Sequence, residues 1–299
     1  MRAFVTGGDG FAGRWLIKHL NECGDRVSAP PYHEMDVTNL IAVRRRLAMV
    51  SPDVVYHLAA FTHVGRSWDE PDEVFRVNSI GTLNVLEASR SLERPPRVVV
   101  VSSAEVYGRV LEEDLPLKEE APMRPMTPYA VSKVACEFLA IQAHLGYGLD
   151  TVRVRPFNHV GPGQSPEFAV SALAKRVVEC EKSGSTKIAV GNLTPRRDFT
   201  DVRDVARAYR LIAQHGEPNA VYNICSGRDL AIGELAERLI ALSKADLELE
   251  VDPALQRAAD TPVLRGDPTR LMQTTGWKPE IDLDETLRSV LDYWRTTLE

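Results

Sequence analysis

The chain has 299 residues, 44% of them hydrophobic and 26% charged, with a formal net charge of −6. That length supports one large core plus a smaller lobe, and the acidic balance argues against a nucleic-acid or anionic-membrane partner, which would call for a concentrated basic face. No apolar run approaches membrane-spanning length, and Cys23, Cys136, Cys180 and Cys225 lack disulfide-framework or metal-ligand spacing, so a cytoplasmic, metal-free protein with reduced thiols is expected.

Residues 3–6 (Ala-Phe-Val-Thr) read as a short buried strand, and Phe11, Trp15, Leu16 and Leu20 recur at helical spacing. Between them, Gly7-Gly8-Asp9-Gly10-Phe11-Ala12-Gly13 places glycines at 7, 10 and 13. Glycine permits a positive-φ turn, and the N–H groups at a helix start can receive a pyrophosphate. Gly7, Gly10, Phe11 and Gly13 are therefore expected to bind a dinucleotide cofactor, and these early glycines also exclude a signal peptide.

The second strand is expected over residues 26–33. It carries neither the acid that would hold an adenosine ribose nor a base placed to favour a 2′-phosphate. Asp36 and Val37 follow, either flanking the adenine or opening the helix ahead of Leu40, so NAD and NADP both stay open. Arg44-Arg45-Arg46 reads as a solvated helix face. Residues 54–58 form the next strand and run into Leu58-Ala59-Ala60, small residues that let a cofactor pass close over the sheet edge and equally suit helix–sheet packing. A helix over residues 80–88 precedes Val98-Val99-Val100-Val101, a β-branched run typical of a central parallel strand.

After that strand comes Ser102-Ser103-Ala104-Glu105-Val106-Tyr107, and then a helix over residues 129–145 that starts with Tyr129 and carries Lys133. Four residues apart, Tyr129 and Lys133 share one helix face. A phenol has an ordinary pKa of about 10; a nearby ammonium, with an oxidised nicotinamide, is expected to bring it down and ready it for proton transfer. Ser103 can hydrogen-bond the same substrate oxygen that Tyr129 protonates. Glu105 beside it is an acid that hydride transfer alone does not need. These residues point to an enzyme acting at a carbinol or ketone carbon.

Residues 151–155 form a further strand, residues 168–181 and 202–214 are helices around a short strand near Ile188, and residues 221–225 are a strand. Helices over residues 232–242 and 283–297 close the chain. Arg197 and Arg257 are candidates to clamp a substrate diphosphate with bidentate guanidinium forks, or else ordinary ion-pair residues. The alternation predicts an α/β fold: a doubly wound parallel Rossmann sheet over residues 1–157 with a smaller, interleaved C-terminal substrate lobe over 158–299, segments around 188–225 returning to the main sheet.

The early glycines, Leu58-Ala59-Ala60, the Ser102-to-Gly108 segment, Tyr129 with Lys133, Arg197-Asp198-Phe199 and Tyr222-Asn223-Ile224-Cys225-Ser226-Gly227 occur together in order. In this the chain resembles the extended short-chain dehydrogenase/reductase superfamily of nucleotide-sugar enzymes along essentially its whole length. Arg155-Pro156-Phe157-Asn158-His159-Val160-Gly161-Pro162-Gly163-Gln164 is similar to the matching loop of the GDP-4-keto-6-deoxy-D-mannose reductases. The GDP-mannose 4,6-dehydratases share its Phe-Asn-His start but continue differently, and Glu105 matches a Glu of theirs.

The resemblance implies Ser103, Tyr129 and Lys133 as the catalytic set, with Tyr129 and Lys133 also at the cofactor. Pro156, Asn158 and His159 are implied at the nicotinamide and sugar end, Arg197 and Arg257 on the diphosphate, and Asp260 at the nucleotide ribose. It implies NAD(P)H as cofactor, a GDP-sugar substrate, and a homodimer through the helix of Tyr129. Reduction at C4 is the first expectation; 4,6-dehydration or 4-epimerisation on the same fold is the alternative.

Overall fold

A computed structural model describes residues 1–252 and 261–299; Arg257 and Asp260 lie outside the described residues. The first half alternates regularly: β1 (Arg2–Thr6), α1 (Phe11–Glu22), β2 (Arg26–Ser28), α2 (Leu40–Val50), β3 (Val54–His57), α3 (Pro71–Phe75), α4 (Gly81–Arg90), β4 (Arg97–Val101), α5 (Pro128–Tyr147) and β5 (Thr151–Pro156). The second half is more broken: β6 (Asn158–Val160), α6 (Ala169–Ser183), β7 (Lys187–Val190), β8 (Arg196–Asp201), α7 (Val202–His215), β9 (Val221–Ile224), β10 (Asp229–Ala231), α8 (Ile232–Ala241), β11 (Glu248–Val251), β12 (Val263–Leu264), α9 (Thr269–Thr275) and α10 (Leu283–Thr297).

Six strands make one sheet in the order β2-β1-β3-β4-β5-β9, every pair parallel. Both faces are covered, which is why β1, β3 and β4 carry apolar runs without alternation. Ala3 and Val5 pack with Leu16, Leu20, Tyr209 and Ile212 on one face. Phe4, between them, packs with Val43, Val85 and Ala140 on the other. The chain leaves β1 for β2 on one side and then crosses to β3 on the other. A crevice therefore opens beyond the C-terminal end of β1, the switch point where such sheets bind ligands.

Three differences from the sequence reading have physical causes. The second strand stops at Ser28, because Pro30 and Pro31 have no N–H for a ladder. The helix expected over 80–88 is reached through α3 and a π-helical turn, Arg76–Ile80, and extends to Arg90. Of the segment 188–225, β9 joins the main sheet beside β5, whereas β7 pairs with β11 in a separate two-stranded ribbon. Ile188 and Val190 of β7 are buried against a core of their own, formed with α6, α8 and α10.

In the second lobe β8 is paired by β10, β12 and β6. Among the described residues no helix is long and apolar enough to cross a membrane, and all four cysteines are free.

Candidate active site

A single cavity of about 1180 Å³ runs over the C-terminal edge of the main sheet. It is lined by Gly7, Gly10, Phe11 and Gly13 from the turn after β1, by Asp36 and Val37, and by Leu58, Ala59 and Ala60 after β3. Ser103, Glu105, Tyr129, Lys133, Pro156, Asn158, His159 and Arg197 line it too. All the described candidates thus meet in one place.

The glycine turn is built for close approach. Gly7 has φ +72°, and a Cβ there would lie 2.7 Å from the Ala59 backbone nitrogen; a Cβ at Gly13 would collide with the Gly7 carbonyl oxygen. Gly10 caps α1 without any side-chain hydrogen bond, so the helix start faces the cavity with backbone alone. This cradle fits a dinucleotide pyrophosphate. Asp36 lines the cavity and accepts from Thr38 N at 2.8 Å; it does not open α2, whose cap is Asn39, accepting from Ile41 N and Ala42 N. Beyond, the His159 ring stacks on Phe11 at 5.8 Å, and burial holds its imidazole below the ordinary value.

At the other end, Ser103 caps the short 3₁₀ turn Ala104–Tyr107, its Oγ accepting from Glu105 N at 3.2 Å. Tyr129 stands in the first turn of α5, after the Thr127 cap and Pro128. Its phenol is hydrogen-bonded with Ser103, and burial pushes it above the ordinary value, the Glu105 carboxylate adding to the rise. This corrects the expected lowering. The Lys133 ammonium donates to the Val101 carbonyl oxygen at 2.9 Å and lies 5.9 Å from the Tyr129 ring centroid. Burial in turn lowers Lys133 itself.

Arg197 lies on β8, just ahead of α7, and its Nη1 donates to the carbonyl oxygens of Arg196 (2.8 Å) and Thr261 (2.7 Å). Beside it, Asp198 is fully buried and accepts from Ser226 N (2.7 Å), Ser226 Oγ (2.6 Å) and Gly227 N (2.9 Å). Burial nonetheless pushes its carboxyl up to about 6.

The arrangement of glycine turn, Tyr, Lys and Ser agrees with what the chain is similar to. The family model described as GDP-mannose 4,6 dehydratase matches residues 28–290. The chain belongs to the GDP-mannose 4,6-dehydratase family. It is thereby an extended short-chain dehydrogenase/reductase. The GDP-6-deoxy-D-mannose reductase of Pseudomonas aeruginosa is 38% identical over 297 residues, covering 99% of this chain and 97% of that protein. The GDP-6-deoxy-D-talose 4-dehydrogenase of Aggregatibacter actinomycetemcomitans is 33% identical, with 92% of each covered. Among solved structures, RMD from Pseudomonas aeruginosa complexed with NADPH superposes with a TM-score of 0.91 at 36% identity over 99% of both chains.

Other residues on the wall of this dehydratase-family cavity are not among the expected site residues. Phe61 and Thr62 follow the Leu58-Ala59-Ala60 edge, and Phe168, Arg176, Asn192 and Leu193 come from α6 and the segment after β7. Only the helical period of α6 hints at Arg176, which is offset from the buried stripe Val170, Ala174, Val177 and Val178.

Proposed function

We propose that the protein reduces the C4 ketone of a GDP-linked 4-keto-6-deoxy hexose with NAD(P)H. The observation that carries this reading is the 38% identity to a GDP-6-deoxy-D-mannose reductase along 297 residues, together with the gathering of Ser103, Tyr129 and Lys133 on the cavity wall.

When bound, NAD(P)H supplies the hydride. Gly7, Gly10, Phe11 and Gly13 hold its pyrophosphate on backbone N–H groups at the start of α1; Asp36 and Val37 lie toward the adenosine. Leu58, Ala59 and Ala60 let it pass, and Pro156 and His159 bound the nicotinamide end. Tyr129 Oη donates its proton to the C4 oxygen as the negative charge develops there, and Ser103 Oγ orients that oxygen. The raised phenol keeps the acid loaded until the cofactor and substrate arrive. Lys133 binds the nicotinamide ribose and stabilises the phenolate left behind. Asn158 contacts the sugar, while Arg197, with Arg257 and Asp260, holds the GDP moiety. Residues 1–157 serve as the cofactor domain and 158–299 mainly as the nucleotide-sugar lobe.

A second reading is 4,6-dehydration, favoured by Glu105, which lines the cavity and acts electrostatically on Tyr129. Incubation with GDP-4-keto-6-deoxymannose decides: a reductase consumes reduced cofactor stoichiometrically, and no net consumption sinks the first reading.

The protein is cytoplasmic and a homodimer in this reading. Val131, Phe138 and Leu145, seven residues apart on α5, are 41%, 56% and 73% exposed, one apolar stripe suited to a second copy. Phe138→Glu is expected to give a monomer in sedimentation analysis; an unchanged mass removes this helix from the interface.

A further inference from the structure

Beneath the cavity floor lies a polar cluster that the reaction itself does not call for. Glu137 on α5 is completely buried, and Ser102 and Arg155 are 2% and 3% exposed. Ser102 Oγ donates to Glu137 Oε1 at 2.7 Å. Arg155 grips both carboxylate oxygens, Nε to Oε1 and Nη2 to Oε2, each at 2.8 Å. Its Nη1 donates to Tyr107 Oη at 3.0 Å and to the Glu119 carbonyl at 2.9 Å, and Tyr107 Oη donates to Asn223 Oδ1 at 2.7 Å.

Stability alone is a weak reason for such a pair, because the desolvation of two buried charges is barely returned by their attraction. Its placement says more. Tyr129, Lys133 and Glu137 follow one another at intervals of four on one face of α5. Ser102 precedes Ser103 at the end of β4, and Arg155 precedes Pro156 at the end of β5. Ser102 itself reaches the cavity wall, and the Glu137 and Arg155 arms end beside residues that line it.

We propose that Glu137, held by Arg155 and Ser102, is a positioning residue that locks α5 to the ends of β4 and β5, so that Tyr129, Lys133 and Ser103 meet one substrate oxygen in register. This rests on the reductase reading above. The carboxylate also acts on Lys133: burial lowers the ammonium, while Cys136 and Glu137 push it back up. Arg155 and Arg153 (4.0 Å from the carboxylate) face Glu137 from β5. Ser102 faces it from β4, and Tyr107 and Glu119 lie beyond Arg155. His57 on β3 senses Lys133 from the other side.

Glu137→Gln keeps the shape and removes the charge. The expected result is a fall in kcat of roughly 10- to 100-fold, the scale of a sub-ångström to ångström misplacement of reacting groups, with KM for the sugar nucleotide little changed. In addition, binding of reduced cofactor, followed by its fluorescence, should weaken at a lower pH than in the wild type, since Lys133 loses its charge sooner. The double variant Glu137→Met/Arg155→Met removes both charges together, so it should fold and yet lose kcat, while the cofactor-binding profile moves little because the opposing Arg155 charge has gone too. Wild-type kcat in that variant would mean the pair is only structural and overturn the proposal. Ser102→Ala removes one buried hydroxyl and must lower kcat with cofactor binding intact; full activity there overturns it as well. The fluorescence titration needs no sugar substrate. A shifted profile in a protein inactive on every GDP-4-keto sugar therefore supports the role of Glu137 and counts against the reductase reading alone.

Discussion

The Lys133 ammonium donates to the Val101 carbonyl oxygen at 2.9 Å, tying α5 to the last residue of β4. That bond places the charge beneath the cavity, one helical turn from Tyr129, without bringing it onto the phenol. Burial then governs Tyr129, and its proton is held more firmly than in a free tyrosine. The site rests in the protonated form that ketone reduction consumes. The opposite direction, oxidation of a carbinol, would need the phenolate first and so depends more on the positive charge of an oxidised nicotinamide.

Tyr129→Phe keeps the ring and removes the transferable proton. Turnover should fall about 100- to 10,000-fold, the range for loss of a general acid, with the dissociation constant for reduced cofactor little changed. Steady-state rates and fluorescence titration check this together. More than a tenth of wild-type rate would mean that Ser103 or water delivers the proton.

Asp198 gives a pH signature. Its folded value of about 6 lies above the unfolded 3.8, so the folded state binds the proton more tightly. The stabilisation from this group is complete below pH 3.8 and is lost as pH rises through about 6. A difference of about two pKa units corresponds to a contribution on the order of 3 kcal/mol. Asp198→Asn should lower Tm overall, because one of the two oxygens is lost as acceptor for either Ser226 or Gly227, and should flatten the dependence of Tm on pH between about 4 and 7. An unaltered slope in thermal melts would show that Asp198 does not titrate in this window.

Much of this was legible in the sequence because the main sheet is covered on both faces and β1, β3 and β4 are plain apolar runs. The glycine turn was legible because backbone crowding at Gly7 and Gly13 admits almost nothing else. The second lobe was harder. β6, β10 and β12 are two or three residues long, too short for any period to show. The Tyr129 and Lys133 pair shows in its spacing, but the direction of the phenol's shift does not, since it depends on burial that spacing does not reveal. Glu137 and Arg155 carried a signal that went unread: an acid one turn after Lys133 on a buried face, and arginines within an otherwise apolar strand, must find partners.

Arg197→Ala tests the placement of the substrate diphosphate. A charge-assisted hydrogen bond contributes roughly 1.5–3 kcal/mol, so the dissociation constant of the GDP-sugar should rise by about one to two orders of magnitude. Arg197→Lys should recover only part, lacking the planar fork. Cofactor affinity should stay constant if, as proposed, the pyrophosphate of the cofactor rests on the turn after β1. Equal losses for both ligands in calorimetric titration would make Arg197 a structural residue, anchored through its bonds to Arg196 and Thr261.

Glu105→Gln separates the two candidate reactions. The residue sits in the 3₁₀ turn that Ser103 caps, and its carboxylate raises the Tyr129 phenol. On the dehydratase reading this carboxylate would move the C5 proton, so the rate should collapse in the variant. Ketone reduction has no such step. Loss of the carboxylate should lower the phenol slightly, toward its ordinary value, making Tyr129 a marginally stronger acid; the turnover of a reductase should stay within about threefold of wild type, a change of well under 1.4 kcal/mol in the barrier. Stopped-flow oxidation of reduced cofactor, with circular dichroism to verify the fold, supplies the measurement. A severe loss of reduction in a folded, cofactor-binding variant would place Glu105 in the proton path and shift the reading toward dehydration.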